Sequence, residues 1–172
     1  MPRTLDTVVT YLEMTDDPGR SPRAPSLPGL ALLKVEDIPV HYYRYLYDAV
    51  GRDWHWVDRK KLSDEDLAAA LHRDTVDIYV AHVKGAPAGY FELERDLPDR
   101  VLLAYFGLIP DFIGLRLGGW LLDTAIATAW SHAPARVEVE TCTLDHPRAL
   151  GLYQKKGFRP VKRVEKTMTL LD

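Results

Sequence analysis

The spacing of apolar residues along the chain changes between period two, which is typical of strands, and period three to four, which is typical of helices. Runs that predict strands are residues 5–14, 30–35, 76–83, 89–94, 137–143 and 161–170, together with residues 101–109, which are almost wholly apolar, as expected for a central strand covered on both faces. Runs with helical spacing are residues 39–50, 63–72, 117–131 and 147–157. An antiparallel meander followed by strand, helix, strand, helix and strand predicts a mixed α/β (α+β) sheet with helices on both faces.

Cap and turn residues define several of these bounds. Ser63 precedes three acidic residues and is expected to be a helix N-cap. Residues 84–88, Lys-Gly-Ala-Pro-Ala, are typical of a hairpin turn. Pro147 is expected at the first helical position, with His146 as the cap. Residues 16–28 are rich in proline and poor in apolar side chains, so they predict an exposed loop.

The most informative stretch follows the apolar strand predicted at residues 101–109. Pro110 has no N–H group and ends that strand. The next residues include glycines whose backbone can come close to a ligand: Gly114, Gly118 and Gly119. A helix that begins at Leu117 presents unpaired N–H groups and the positive end of its dipole. The stretch therefore predicts a phosphate site at this helix N-terminus.

Composition limits the classes of protein that the chain can belong to. Its 172 residues suit a single domain over residues 1–172, and a net charge of −3 gives no general nucleic-acid surface. Cys142 is the only cysteine, which fits a reducing cytoplasm. No apolar run approaches the roughly 20 residues that cross a bilayer, and the N-terminus has no apolar signal core. We expect a cytoplasmic domain with no nucleic-acid or membrane partner.

Tyrosine and tryptophan are concentrated in residues 42–56. One interpretation is a core with an apolar surface. The other is an aromatic wall of a ligand pocket, because Gly51 interrupts the preceding helix and leaves Trp54 and Trp56 on a loop. Both interpretations stay open on the sequence alone.

Two motifs give a family resemblance. Ile113-Gly114-Leu115-Arg116-Leu117-Gly118 is similar to an acyl-CoA loop of the pattern Gln/Arg-x-x-Gly-x-Gly/Ala. A later pattern, Asn-x-x-Ala-x-x-x-Tyr-x-x-x-Gly-Phe, falls on these residues: His146, Ala149, Tyr153, Gly157 and Phe158. On both motifs, which lie within residues 76–160, the chain resembles the bacterial-type GNAT superfamily of N-acetyltransferases. It departs from the family pattern at Ile113, Arg116 and His146.

The resemblance implies a mostly antiparallel sheet that is splayed at the acyl-CoA site. It implies acetyl-CoA as the donor, a small-molecule primary amine as the acceptor, and direct attack in a ternary complex. Tyr153 matches the family's proton donor to the departing thiolate, and the aromatic segment would contact the acceptor through Tyr47, Trp54 and Trp56. The resemblance assigns cofactor binding to Leu108, Ile109, Gly114, Leu115, Arg116, Leu117, Gly118, Gly119 and His146.

A general base is expected among carboxylates, histidines or a water chain, because an amine must lose a proton before it attacks. Glu92 and Glu94 share one face of their strand, and Glu92 is the favoured base. A charge in mid-strand needs a partner or a cavity. The alternative is that both are solvated edge carboxylates. The six histidines show no spacing typical of zinc, so no metal is expected.

Two other functions remain compatible with the sequence. One is acetylation of a protein N-terminus or a lysine side chain, which requires an open, acidic groove, and the aromatic segment argues against such a groove. The other is a non-catalytic acyl-CoA-binding sensor, because the loop departs from the family pattern at Ile113 and Arg116. A homodimer is also compatible with the sequence, which does not define the oligomeric state.

Overall fold

The computed structural model describes residues 2–171, which form a seven-stranded sheet with helices on both faces. The strands are β1 (Thr4–Met14), β2 (Leu30–Lys34), β3 (Val76–Val83), β4 (Ala86–Glu94), β5 (Arg100–Leu108), β6 (Arg136–Cys142) and β7 (Arg159–Thr169). The helices are α1 (Val40–Gly51), α2 (Asp64–Leu71), α3 (Leu117–Trp130) and α4 (Ala149–Lys156). Short 3₁₀ turns occur at Arg52–Trp54, Arg59–Lys61 and Pro110–Phe112.

The strand order is β2-β3-β4-β5-β6-β1-β7, and every neighbouring pair is antiparallel except β5 and β6. A parallel pair needs a long crossover, and α3 provides it. The N-terminal strand β1 lies between β6 and β7 and pairs with both. The predicted mixed, mostly antiparallel sheet is therefore confirmed.

The sheet opens between β5 and β6. Their pairing extends only from Arg100 opposite Arg136 to Leu103 opposite Val139. On the other edge of β5, Glu92 lies opposite Tyr105 and Leu93 lies opposite Leu103, so Ala104 is an extra residue in a β-bulge. A bulge bends a strand and increases its twist. Beyond the bulge β5 continues beside β4 and separates from β6, which is the splay that the family resemblance implied.

Each face of the sheet has its own apolar core. On one face α3 and α4 pack on the central strands through residues such as Leu121, Leu122 and Phe158. On the other face α1 and α2 contribute residues such as Tyr43 and Leu67. These side chains recur at helical spacing, so each helix buries one stripe against the sheet. No helix within residues 2–171 is long and apolar enough to cross a membrane.

Two predicted boundaries need correction, and the first is the hairpin turn. The hairpin between β3 and β4 uses only Lys84 and Gly85, whose φ angles are 51° and 85°, and β4 already begins at Ala86. Both residues therefore adopt the left-handed region that two-residue hairpin turns require. The predicted loop over residues 84–88 is too long, because Ala86 and Pro87 already pair with Val83 and His82 of β3.

The predicted start of α4 is also wrong. The helix begins at Ala149, with Arg148 as the N-cap residue, so Pro147 is not its first residue and His146 is not its cap. His146 instead belongs to a turn before the helix. Its carbonyl oxygen accepts from the Ala149 N–H at 2.9 Å, and its Nδ1 accepts from the Arg148 N–H at 3.1 Å.

Candidate active site

The wall of the opening is the end of β5. Residues 104–108 are only partly buried although they belong to a central strand. Residues 105–108 pair with β4, and none of residues 104–108 pairs with β6, so one edge of this backbone has free N–H and C=O groups. An extended ligand can pair with such an edge as an added strand does. Leu108 is half-buried at this wall, whereas the side chain of Ile109 is buried.

The N-terminus of α3 lies beside the end of β5, because a Cβ at Gly118 would lie 3.6 Å from Leu108 Cδ1. No side chain caps this helix and no acidic residue occupies its first turn. Its free N–H groups and dipole therefore favour an anion. Leu115 is exposed in the preceding loop, and the side chain of Leu117 is buried, which leaves the backbone for ligand contact.

Arg116 has a left-handed backbone, with φ 62° and ψ 18°. This conformation is uncommon for residues other than glycine. The family pattern has a glycine at this position. Arg116 adopts the left-handed conformation that a glycine would adopt, so the substitution changes the side chain but not the backbone of the turn. Gly114 also has a positive φ, 90°, and no atom lies within 4 Å of where its Cβ would be. The loop is therefore open on the side where a ligand would enter.

Tyr153 lies on α4 with its ring packed between two phenylalanines. Its centroid is 6.4 Å from that of Phe106, in the part of β5 that does not pair with β6, and 5.9 Å from that of Phe158. The hydroxyl forms no hydrogen bond with any residue between 2 and 171. Burial, with a contribution from the charge of Asp145, raises the pKa of Tyr153. The phenol therefore stays protonated near neutral pH and can act as a donor.

Glu92 is fully buried and has two partners. Tyr43 donates its hydroxyl to Oε1 at 2.6 Å, and Arg59 Nη2 donates to Oε2 at 2.9 Å. Burial raises the pKa of Glu92, and the charge of Arg59 and the hydrogen bond from Tyr43 offset only part of the rise. Glu92 is thus not a solvated edge carboxylate. Glu94, on the same face, also contacts Arg59 Nη2, at 3.3 Å.

Arg59 is the residue of this cluster that the sequence did not indicate. Its guanidinium lies over the rings of Tyr43 and Tyr105, with Cζ 5.8 Å and 5.3 Å from their centroids. Burial opposes its charge, but the negative charge of Glu92 beside it acts in the other direction, and the pKa of Arg59 is raised. In the sequence Arg59 stands in a run of charged residues, and nothing distinguishes it from Lys60 or Lys61.

The aromatic segment contributes both to the core and to the opening. Tyr47 is buried, with its ring centroid 5.2 Å from that of Tyr105 and 5.4 Å from that of Trp56. Trp56 packs so tightly that a Cβ at Gly51 would lie 2.4 Å from it. Trp54 is only half-buried and its ring centroid lies 4.9 Å from that of His146. The Trp54–His146 contact thus joins the segment after α1 to the loop after β6.

Glu140 of β6 has several other carboxylates near it. Glu140 of β6 has a raised pKa because of partial burial, and the charges of Asp58, Asp145 and Glu94 add to the rise while Lys166 opposes it. These side chains therefore lie close enough to act on one another.

Comparisons with known proteins agree with this geometry. The family model for the acetyltransferase (GNAT) family matches residues 43–158. A tandem GNAT protein from the clavulanic acid biosynthesis pathway, solved without AcCoA, aligns with a TM-score of 0.65 and 20% identity over 94% of this chain and 53% of its own. A GCN5-related N-acetyltransferase from Sphaerobacter thermophilus aligns with a TM-score of 0.67 and 17% identity over 98% and 52% of the two chains.

A third similar structure is an aminoglycoside acetyltransferase from an uncultured soil metagenomic sample, in complex with trehalose. It aligns with a TM-score of 0.56 and 15% identity over 74% of this chain and 86% of its own. The chain spans about half of the length of the tandem protein and of the Sphaerobacter protein. No curated protein matches the chain in sequence. At these identities the structural neighbours show the fold alone.

Proposed function

The chain belongs to the acetyltransferase (GNAT) family, and from this premise we propose that it transfers an acetyl group from acetyl-CoA to a primary amine of a small molecule. The transfer would be a direct attack of the amine on the thioester in a ternary complex. One observation supports this most strongly: the opening between β5 and β6 is flanked by an uncapped helix N-terminus on one side and by carboxylates and aromatic rings on the other.

The residues present fit acetyl-CoA. The free edge of residues 104–108 can pair with the amides of the pantetheine arm, and the N–H groups of Leu117, Gly118 and Gly119 can bind the pyrophosphate. Acetyl-CoA supplies a thioester whose carbonyl carbon the amine attacks. The C–N bond would form, the C–S bond would break, the thiolate would depart, and the acylated nitrogen would lose its second proton to solvent.

Tyr153 is the proposed proton donor to that thiolate, because its protonated phenol packs on Phe106 at the opening. Glu92 is the proposed acceptor of the proton that the ammonium loses. Its raised pKa suits a base, but its carboxylate is enclosed, so the proton would pass through a water or through the Tyr43 hydroxyl. Arg59 holds the carboxylate in place from the opposite side.

A small amine is favoured over a protein side chain by the aromatic contact on the acceptor side. The Trp54 and His146 rings meet across the opening, and a similar structure is an aminoglycoside acetyltransferase. The direct test is release of CoA thiol from acetyl-CoA with a panel of small amines and with a lysine peptide. Amine-dependent thiol release supports the proposal. Binding of acetyl-CoA with no release for any amine would instead identify a sensor.

Trp54→Ala is expected to raise KM for the amine by roughly 3-fold to 30-fold, the range expected for loss of a cation–π contact. The side chain is half-buried and belongs to a 3₁₀ turn rather than to a core cluster, so folding should be retained. KM for acetyl-CoA should stay unchanged. Steady-state kinetics with each substrate varied would measure both constants. An unchanged KM for every amine that reacts would remove Trp54 from the acceptor site.

Trp56 is a poor choice for the same experiment. Its ring packs against Tyr47, Tyr105 and Gly51, so Trp56→Ala would leave a cavity. Large-to-small changes of this kind cost about 3–5 kcal/mol of stability. A raised KM in that variant would then report unfolding as well as lost contact.

Glu92→Gln is expected to change the pH dependence of kcat/KM. Without a base the variant depends on free amine, whose fraction rises about tenfold per pH unit below an ordinary amine pKa. Its defect should therefore be largest at low pH and shrink as pH rises. Glu94→Gln is the matched control, since it removes the same charge two residues away on the same face. A Glu92→Gln profile that parallels the parent at all pH values would leave a water chain as the base.

Stability must be measured alongside this pH profile. Glu92→Gln leaves Arg59 buried without its closest carboxylate, and breaking a buried ion pair costs about 3–5 kcal/mol. Tyr43→Phe removes a hydrogen bond to the same carboxylate but keeps its charge. A pH profile that changes in Glu92→Gln and not in Tyr43→Phe therefore reports a carboxylate that takes its proton through a water, whereas a profile that changes in both reports the Tyr43 hydroxyl as the relay.

A further inference from the structure

An open surface cavity of about 490 Å³ lies between the proline-rich loop at residues 16–28 and the outer face of α3. Arg20 and Arg23 line it from the loop, and Arg116 and Trp120 line it from the start of the helix. None of these three arginines forms an ion pair with any residue from 2 to 171. The cavity therefore has an excess of positive charge.

One acid also lines the cavity, but its charge is already paired. Asp123 lies on the same face of α3 as Trp120, and Lys156 of α4 donates to its carboxylate at 2.8 Å. The pair leaves the arginines as the uncompensated charges. Three guanidinium groups around one cavity match an anion with several oxygens, because each can donate two parallel hydrogen bonds.

The loop is held against the helix and not merely near it. Leu27 packs in the same apolar cluster as Leu117 and Trp120. Pro18, Pro22, Pro25 and Pro28 fix φ along the loop, so little backbone freedom is lost when a ligand binds. The Gly19 N–H also donates to Asp17 Oδ1 at 2.9 Å. The arginines thus extend from a backbone that is already ordered.

The position of the cavity relative to α3 indicates which anion it would bind. Arg116 directly precedes the first turn of α3 and also lines the cavity, so the two sites adjoin. The buried face of α3, with Leu117 and Leu121, points to the sheet, while Trp120 and Asp123 point to the cavity. Consider a ligand whose pyrophosphate lies at the start of α3. If the group on one side of the pyrophosphate enters the sheet opening, the group on the other side would reach the cavity.

Resting on the acyl-CoA proposal, we infer that this cavity is a second phosphate subsite, for the 3′-phosphate of CoA, with Arg20 and Arg23 as its ligands. Only a few bonds separate that phosphate from the pyrophosphate. It is a monoester close to a full dianion at neutral pH. Arg116 lies between the two phosphate positions. The site would distinguish CoA from its form without the 3′-phosphate.

The test is isothermal titration calorimetry with CoA and with 3′-dephospho-CoA. The parent protein should bind CoA roughly 10-fold to 100-fold more tightly, as expected for charge-assisted hydrogen bonds. The double variant Arg20→Ala/Arg23→Ala should lose affinity for CoA by the same factor and keep its affinity for 3′-dephospho-CoA. Adenosine 3′,5′-bisphosphate should compete with CoA in the parent and not in the double variant. Both arginines are exposed, so the variant should fold.

Lys162→Ala is the control, because it removes an exposed cation from β7 outside the cavity. It should leave both affinities unchanged. Equal affinities of the parent for the two ligands, or an unchanged preference in the double variant, would overturn the subsite and leave the acyl-CoA proposal intact. Failure of the parent to bind either ligand would overturn both.

Discussion

Gly118→Glu is expected to lose measurable affinity for CoA while the protein stays folded. The substitution places a carboxylate at the positive end of α3, where the pyrophosphate would bind, so the two anions repel and compete for the same N–H groups. Folding should not suffer. A Cβ at this position meets only Leu108 Cδ1, at 3.6 Å, and an acid in a first helical turn is stabilising. Calorimetric titration with CoA and a thermal melt measure the two effects.

Two control variants separate charge from bulk. Gly118→Ala adds the Cβ alone and should reduce CoA affinity only slightly. Gly151→Glu introduces the same acid on α4, where no atom lies within 4 Å of the new Cβ, and should leave affinity unchanged. If Gly118→Glu binds CoA as the parent does, the pyrophosphate does not lie at the start of α3, and the assignment of the loop fails with it.

The strands and helices were predictable where a local pattern defines them. The apolar run predicted at residues 101–109 is β5 at Arg100–Leu108, because Pro110 ends it. Ser63 caps α2 as expected, its hydroxyl accepting from the Asp66 N–H at 3.1 Å. Each of these features depends on residues close together in the chain, so the sequence alone was sufficient.

Pairings between distant segments could not be predicted in the same way. β1 lies between β6 and β7, and its partner β7 comes from the other end of the chain. No residue in Thr4–Met14 identifies that position, because an alternating pattern fits any half-buried strand. The sequence likewise gives no signal for the bulge at Ala104, since alanine has no preference for bulges. The sheet opening followed from family resemblance, and its exact start depends on this bulge.

In the candidate site, too, local sequence patterns indicate some residues, and only folding brings the others together. A charge in the middle of a strand indicated that Glu92 needs a partner, and the structure provides Tyr43 and Arg59. The identity of Arg59 was hidden because its distance from Glu92 arises only on folding. Arg20 and Arg23 lay in a loop expected to be merely exposed, and only the packing of Leu27 on α3 brings them beside Arg116.

Tyr153→Phe is expected to lower kcat by about 10²–10⁴, the usual contribution of a general acid. The departing thiolate would then take its proton from water. The affinity for CoA should be unchanged, because the loss occurs only as the C–S bond breaks. The hydroxyl bonds to no residue within 2–171, and the ring contacts with Phe106 and Phe158 remain, so stability should be retained.

The control for this variant is Tyr79→Phe, which removes a hydroxyl from a ring packed on the same apolar cluster but two strands away from β5. Its kcat should match that of the parent. The pH profile gives a second check, because burial holds the pKa of Tyr153 above its ordinary value of about 10. The parent's kcat should therefore show no loss from Tyr153 ionisation below about pH 10. A Tyr153→Phe enzyme with near-normal kcat would transfer the role of proton donor to water or to His146, whose ring meets Trp54 at the opening.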